Sequence, residues 1–450
     1  MKDKRIGLFE KVGYCSVEVG NQFSWTMIST YLSVFYTDVV GLMPAVVSII
    51  FLIARIWDGV NDPMMGIIAE KTHTRWGKYR PYVIFGAPFV ALFSILTFSK
   101  INASMPVMIL YAAITYIGCG MAYTVVCIAQ GSLANVMTRD LNTRVQLNSL
   151  RQMGNGITGL VLSAVAMPLI LYFGNGSTSS ARGYFYANII FSLIGVACVM
   201  FGGIVCKERI TKPKSEEKYV SLKESLLYVV KNRNVLIIVL VAIFTTGAIL
   251  GRFGVMSYYF IYYLENPALM SPVMIIYNVC TIIAQCYTPF IVKKLGKKKA
   301  CYLGYGVQAI SLVMVFMGGQ TNLPLIFVGS GLNGLANFVP GILYSLSGDI
   351  VDKEELKTGT RVDSIVYSML SLGTKVGIAI GGSVTISILG AIGFVANETQ
   401  TAATLNGLNA LTNLFPIIVL VLAAISLFFI DITEEEAKKN EEILRKREEA

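Results

Sequence analysis

The sequence predicts an all-α, multi-pass membrane protein: twelve transmembrane helices in two six-helix bundles, with both termini cytoplasmic. Three observations predict it. Of the 450 residues, 54% are hydrophobic and only 14% charged, a balance no soluble core requires. The apolar residues fall in runs near the ~20 residues a helix needs to cross ~30 Å of hydrocarbon, without the alternation of a β-barrel. The basic residues are partitioned: of the 37 Lys and Arg, 31 lie in the N-terminus, the loops after even-numbered spans or the C-terminal tail. Only Lys100 and Arg182 follow odd-numbered spans, and Arg55, Arg151, Arg252 and Lys375 lie within spans. The positive-inside rule then places both termini in the cytoplasm.

The spans follow in order. Met1 to Lys11 is polar and the apolar stretch after it runs on as a full span, so no cleaved leader is expected, and span 1 covers 14–37. Spans 2 to 6 cover 44–69, 81–99, 106–135, 147–173 and 184–206. A charged stretch at 207–233 reads as a cytoplasmic linker. Spans 7 to 12 cover 235–263, 270–292, 300–318, 323–348, 362–393 and 406–431. The expected domains are therefore 1–206, the linker 207–233, 234–431 and a charged tail at 432–450. The halves echo each other: Trp76-Gly77-Lys78 matches Leu295-Gly296-Lys297 at an offset of 219, and Thr143-Arg144-Val145 matches Thr360-Arg361-Val362 at 217. Duplicated units of this kind favour a midplane site and alternating access.

Chemistry concentrates in span 2. Asp58 and Asp62 lie one helical turn apart, with Arg55 three residues before Asp58. Each such charge costs roughly 2.5–3.5 kcal/mol in the hydrocarbon core even on the gentler scales, so three on one helix point to use. Positions 55, 58 and 62 share a face. Asp58, Asn61, Asp62 and Thr124 offer the oxygens that sodium prefers, while a proton needs only one carboxylate beside another anion. The competing reading is an intrahelical Arg55–Asp58 clamp, which leaves Asp62 unpaired. The eight cysteines lack metal-ligand spacing and read as packing thiols. The single histidine, His73, falls in a loop, which excludes an intramembrane histidine relay. The formal charge of +10 is dispersed over loops facing lipid headgroups and calls for no nucleic acid.

Several stretches resemble the glycoside-pentoside-hexuronide:cation symporters of the major facilitator superfamily. They are Tyr36-Thr-Asp-Val-Val-Gly41, Arg55-Ile-Trp-Asp58-Gly-Val-Asn61-Asp62-Pro63 with Gly66, Arg75-Trp-Gly-Lys-Tyr-Arg80-Pro81, and Gly120-Met-Ala-Tyr-Thr124. The resemblance, over about 11–431, implies a rocking sugar carrier driven by sodium or a proton, multi-pass in the cell membrane and not an enzyme. It implies a cation held by Asp58 and Asp62 with help from Thr124, no cofactor, a small sugar as partner, and a monomer. Galactoside-carrying members grip sugar with aspartates in spans 1 and 4, where this chain has Gln22 and Cys127; a span 4 tryptophan becomes Gly131. Glu18, Asn21 and Gln22 resemble the glucuronide-type branch, and Arg151 and Lys375 match basic cavity positions.

With two carboxylates lost and two cations kept, a uronate or other anionic sugar is expected, a neutral pentoside or β-glucoside being the alternative. On the other reading, Arg151 and Lys375 neutralise Glu18 or the span 2 carboxylates. Tyr123 joins the substrate set, and Trp25 could stack on a sugar ring or simply pack. Arg252 needs a partner from another helix, and Arg144 and Arg361 are structural or coupling positions. A lysolipid carrier of the wider family and a non-transporting sensor are the remaining readings. The outer loops carry sequons at Asn102, Asn175 and Asn397, a chance pattern by default.

Overall fold

The computed structural model describes residues 6–72, 74–138, 141–209, 232–358 and 363–449. Among these the chain forms fourteen α-helices. In order they are α1 (Leu8–Val34), α2 (Pro44–Lys71), α3 (Arg80–Thr97), α4 (Met105–Met137), α5 (Leu141–Phe173), α6 (Ala181–Val205) and α7 (Arg233–Tyr258). There follow α8 (Met270–Leu295), α9 (Lys297–Gly318), α10 (Leu323–Leu335), α11 (Val339–Thr358), α12 (Asp363–Ala391), α13 (Ala402–Phe428) and α14 (Glu434–Glu449). Proline within the first two residues starts α2, α3, α4 and α10, where its missing N–H costs nothing. The expected tenth span is broken at 336–338 into α10 and α11. The charged tail folds as α14, and most of the linker lies outside the described residues.

Ten helical stretches, α10–α11 counted as one, are long and apolar enough to cross a membrane among the described residues. The helices α1 and α2 are absent from that set although they run 27 and 28 residues. For α1 the reason is polarity, since it carries Glu18, Asn21 and Gln22; in α2 several positions from Val60 on, Asp62 among them, lie outside the described residues. Helices whose polar groups line a bundle interior sacrifice the apolar average that marks a lipid-facing span.

The chain clusters into two compact units. The first comprises Met1–Glu216 with Met256–Ile275 and Leu389–Thr401; the second comprises Glu217–Val255, Ile276–Ile388 and Ala402–Ala450. In the first unit α1 packs on α5 and α6, α3 on α4 and α6, and α2 on α4. Its core includes Tyr14, Val83, Val126 and Leu133. In the second, α9 packs on α10 and α13 around Tyr305, Leu312, Leu346 and Leu427.

Each unit closes one helix start with the same device. Gly77 holds φ at +115°, and the backbone N–H groups of Lys78, Tyr79 and Arg80 donate to the Glu208 carboxylate at 2.7, 2.7 and 2.9 Å. Three orphan donors at the start of α3 are thereby satisfied by a charge the helix dipole favours. A Cβ on Gly77 would sit 2.6 Å from Glu208. In the second unit Gly296 holds φ at +80°, Lys297 N–H donates to Glu434 at 3.1 Å, and a Cβ on Gly296 would sit 3.0 Å from that carboxylate. The Gly77/Gly296 repeat is thus a repeated capping geometry. Of the other matched pair, Arg361 and the side chain of Arg144 lie outside the described residues.

Candidate functional site

Two faces of α4 organise the polar interior of the first unit. Tyr116, Gly120 and Thr124 recur every fourth residue toward α2, and Tyr123, Cys127 and Gly131 do the same toward α1 and α5. On α1, Glu18, Asn21, Gln22 and Trp25 follow the i, i+3, i+4, i+7 pattern of one face.

The α2 side is built around an ion pair. Arg55 Nη1 donates to Asp58 Oδ2 at 2.9 Å, and Arg55 Nη2 donates to the Tyr116 hydroxyl at 2.9 Å. The pair is sheltered, its side chains 15% and 17% exposed. Gly120 leaves room for the carboxylate: a Cβ there would lie 3.2 Å from Asp58 Oδ1. Asn61, one turn on from Asp58, is buried, and its amide nitrogen finds no acceptor among the described residues. The two ends of an amide exchange by a flip, so this position can turn either a donor or an oxygen toward a guest. Thr124 is buried one turn beyond Gly120. The Asp62 side chain lies outside the described residues.

The α1 side is a second cluster. Arg151 Nε donates to Glu18 Oε2 at 2.6 Å, and Gln22 Nε2 donates to Glu18 Oε1 at 2.8 Å and to the Tyr123 hydroxyl at 3.3 Å. Asn21 Nδ2 donates to Cys127 Sγ at 3.2 Å, while Asn21 Oδ1 is buried without a donor among the described residues. Arg151 Nη2 also reaches Cys127 Sγ at 3.9 Å. A Cβ on Gly131 would stand 3.7 Å from the Arg151 guanidinium, so the glycine keeps that side clear. Trp25 joins the clusters, stacked on Tyr123 with the Arg55 guanidinium over its ring.

Twelve of the expected residues are therefore collected in one unit: Glu18, Asn21, Gln22, Trp25, Arg55, Asp58, Asn61, Tyr123, Thr124, Cys127, Gly131 and Arg151. Lys375 stands exposed on α12 of the second unit. Arg252, buried on α7 of the second unit, lines a small cavity with Tyr277, Gln308 and Asn333. Sequence reasoning missed Tyr116, whose signal was its place four residues before Gly120. It also left Asp38 unassigned, although the residue lies in a quoted motif. Asp38 is buried in a π-helical segment, Phe35–Val40. Its carboxylate accepts from Thr37 Oγ1 at 2.6 Å and from the Tyr262 hydroxyl, and its carbonyl accepts from Asn397 Nδ2 at 2.6 Å.

Comparisons with known proteins agree with this architecture. The family model described as MFS/sugar transport protein matches residues 13–434. The chain is 34% identical over 95% of its length to an isoprimeverose transporter of Lactiplantibacillus pentosus, covering 90% of that protein. It is 27% identical over 95% of its length to a glucuronide carrier protein homolog of Escherichia coli (strain K12), covering 93% of it. Among solved structures it is similar in fold to an inward-facing, occupied bacterial homolog of the human lysosomal transporter Spinster. The TM-score there is 0.71, with 12% identity, over 95% of this chain and 97% of that one.

Proposed function

We propose, from the premise that this chain belongs to the MFS/sugar transport family and within it to the glycoside-pentoside-hexuronide symporters, that it couples inward movement of sodium or a proton to uptake of a glycoside. It is a multi-pass protein of the cell membrane and a transporter, not an enzyme. The proposal includes twelve crossings, with α1 and α2 as the two polar ones, and cytoplasmic termini. One observation carries the reading: a sheltered arginine–aspartate pair on α2 stands one aromatic ring away from a hydroxyl- and amide-rich face on α1 and α4. The first is a seat for a small cation, because an ion arriving at Asp58 and Asp62 can take over the carboxylate that Arg55 now holds. Asn61 and Thr124 add oxygens to that seat. The second suits sugar hydroxyls, which both donate and accept; Asn21 Oδ1 is a buried acceptor awaiting such a donor.

The geometry favours a neutral glycoside. Arg151 spends its charge on Glu18 at 2.6 Å, so the α1 face holds a compensated pair and no surplus cation for a uronate. A relative named as an isoprimeverose transporter supports the same choice. The anionic reading draws support from the open side of Arg151 at Gly131 and from the glucuronide carrier homolog among the relatives. Uptake into oriented vesicles decides both questions, using labelled isoprimeverose, xylosides and glucuronides with sodium and pH gradients imposed separately. Accumulation of a neutral glycoside under one gradient, abolished by Asp58→Asn in a folded protein, is the expected outcome. Full gradient-driven accumulation by that variant overturns the cation assignment.

A further inference from the structure

We infer that Trp25 is a positioning residue that transmits cation occupancy at Asp58 to the sugar-facing groups, an inference that rests on the symport reading above. On the sequence alone Trp25 is a candidate platform for a sugar ring. In the structure that platform already carries two neighbours. The Arg55 guanidinium lies over the indole at 4.6 Å from the ring centroid, and Tyr123 stacks on it with centroids 4.5 Å apart and planes 23° from parallel.

Each neighbour is tied to a different cluster. Arg55 is held by Asp58 and by the Tyr116 hydroxyl, both at 2.9 Å. The Tyr123 hydroxyl accepts from Gln22, and Gln22 also donates to Glu18, the partner of Arg151. An unbroken line of contacts therefore runs from Asp58 through Arg55, Trp25, Tyr123 and Gln22 to Glu18, and its middle step is aromatic. A guanidinium shared between a carboxylate and an indole face answers to both, because the ring quadrupole and the carboxylate draw on the same charge. When a cation binds Asp58 it competes for those oxygens. Arg55 then gives up part of its ion pair and settles on Trp25 and Tyr116, which fixes the ring and, through it, the Tyr123 hydroxyl that orients Gln22. Because coupling is reciprocal, a sugar that orders Gln22 and Tyr123 also biases Arg55 away from Asp58 and raises cation affinity by the same factor.

The test uses the full-length protein in lipid nanodiscs with Trp57→Phe and Trp76→Phe, which leaves Trp25 as the sole indole. Ion binding is followed independently as thermal stabilisation by NaCl, LiCl or acid against choline chloride. The expected result is a saturable change in Trp25 emission with the same midpoint as that stabilisation, lost on Asp58→Asn. In the uptake assay with isoprimeverose, the ion should lower the half-saturating concentration by about tenfold, within the usual range of coupling. Trp25→Leu should bring that ratio close to one while Trp25→Phe, which keeps a ring face, retains most of it. Emission from Trp25 that stays flat while an ion stabilises the protein overturns the relay and leaves symport standing, as does a Trp25→Leu carrier with the wild-type ratio. If no ion stabilises the protein and none drives uptake, it is the symport reading that fails.

Discussion

At the scale of single residues, two small substitutions separate the roles of the two clusters. Gly120 presents nothing to Asp58, and a methyl there would lie 3.2 Å from Oδ1, tighter than an ordinary contact. Gly120→Ala is therefore expected to crowd the carboxylate and raise the half-saturating concentration of the coupling ion several-fold, with little effect on sugar affinity at saturating ion. Titrating uptake against ion at fixed sugar measures it. Glu18→Gln acts on the other cluster by leaving the Arg151 guanidinium without its counter-charge. A sheltered cation without a partner recruits one, so relative preference is expected to move toward anionic glycosides by about tenfold, ~1.4 kcal/mol. Competition between a glucuronide and the matching neutral glucoside reports it directly.

At the scale of elements, Glu208 shows how a residue beyond the end of one helix sets the beginning of another. It collects three backbone donors at the start of α3, and Arg80 adds its guanidinium to the carbonyls of Gly203 and Ile204 at 3.0 and 2.8 Å. Glu208→Gln keeps the shape and loses the charge, and is expected to cost about 1–3 kcal/mol in the stability of that end of α3. Hydrogen exchange at residues 78–84, read against the rest of the unit, checks it. The site was legible in the sequence wherever helical spacing governs: Glu18, Asn21, Gln22 and Trp25 share a face because 3.6 residues make a turn, and so do Arg55 and Asp58. What spacing cannot give is the partner across a helix interface. Arg151 meeting Glu18, Tyr116 meeting Arg55 and Arg55 covering Trp25 depend on rotation and depth of whole helices, which no one-dimensional pattern records. The expectation of an anionic sugar rested on Arg151 and Lys375 as cations kept while two carboxylates were lost; that Arg151 pairs with Glu18 at 2.6 Å depends on how α5 meets α1, which the sequence does not record.

At the scale of the whole molecule, the apolar runs carried most of the helical architecture. The helices fall where the apolar runs fall, and the Gly77 and Gly296 echoes are matching caps in two units. Less legible was the break at 336–338, announced only by Pro340 at the second residue of α11. The partition of Lys and Arg between the two sides gives its own expectation. Fusions of a fluorescent protein to either terminus should fluoresce and fusions of alkaline phosphatase there should stay inactive, whereas phosphatase inserted at Lys100 or Arg182 should be active. Reversal of that pattern would falsify the topology.

The Asp38 knot carries a lesson about time. Its two outside donors, Tyr262 and Asn397, arrive 224 and 359 residues after it. A ribosome threading this chain into the bilayer delivers the first six helices long before either donor exists. The far end of the opening helix therefore waits, with its acid supplied by Thr37 alone among these partners, until almost the last loop has emerged. Completion of the first unit is therefore a late event in synthesis.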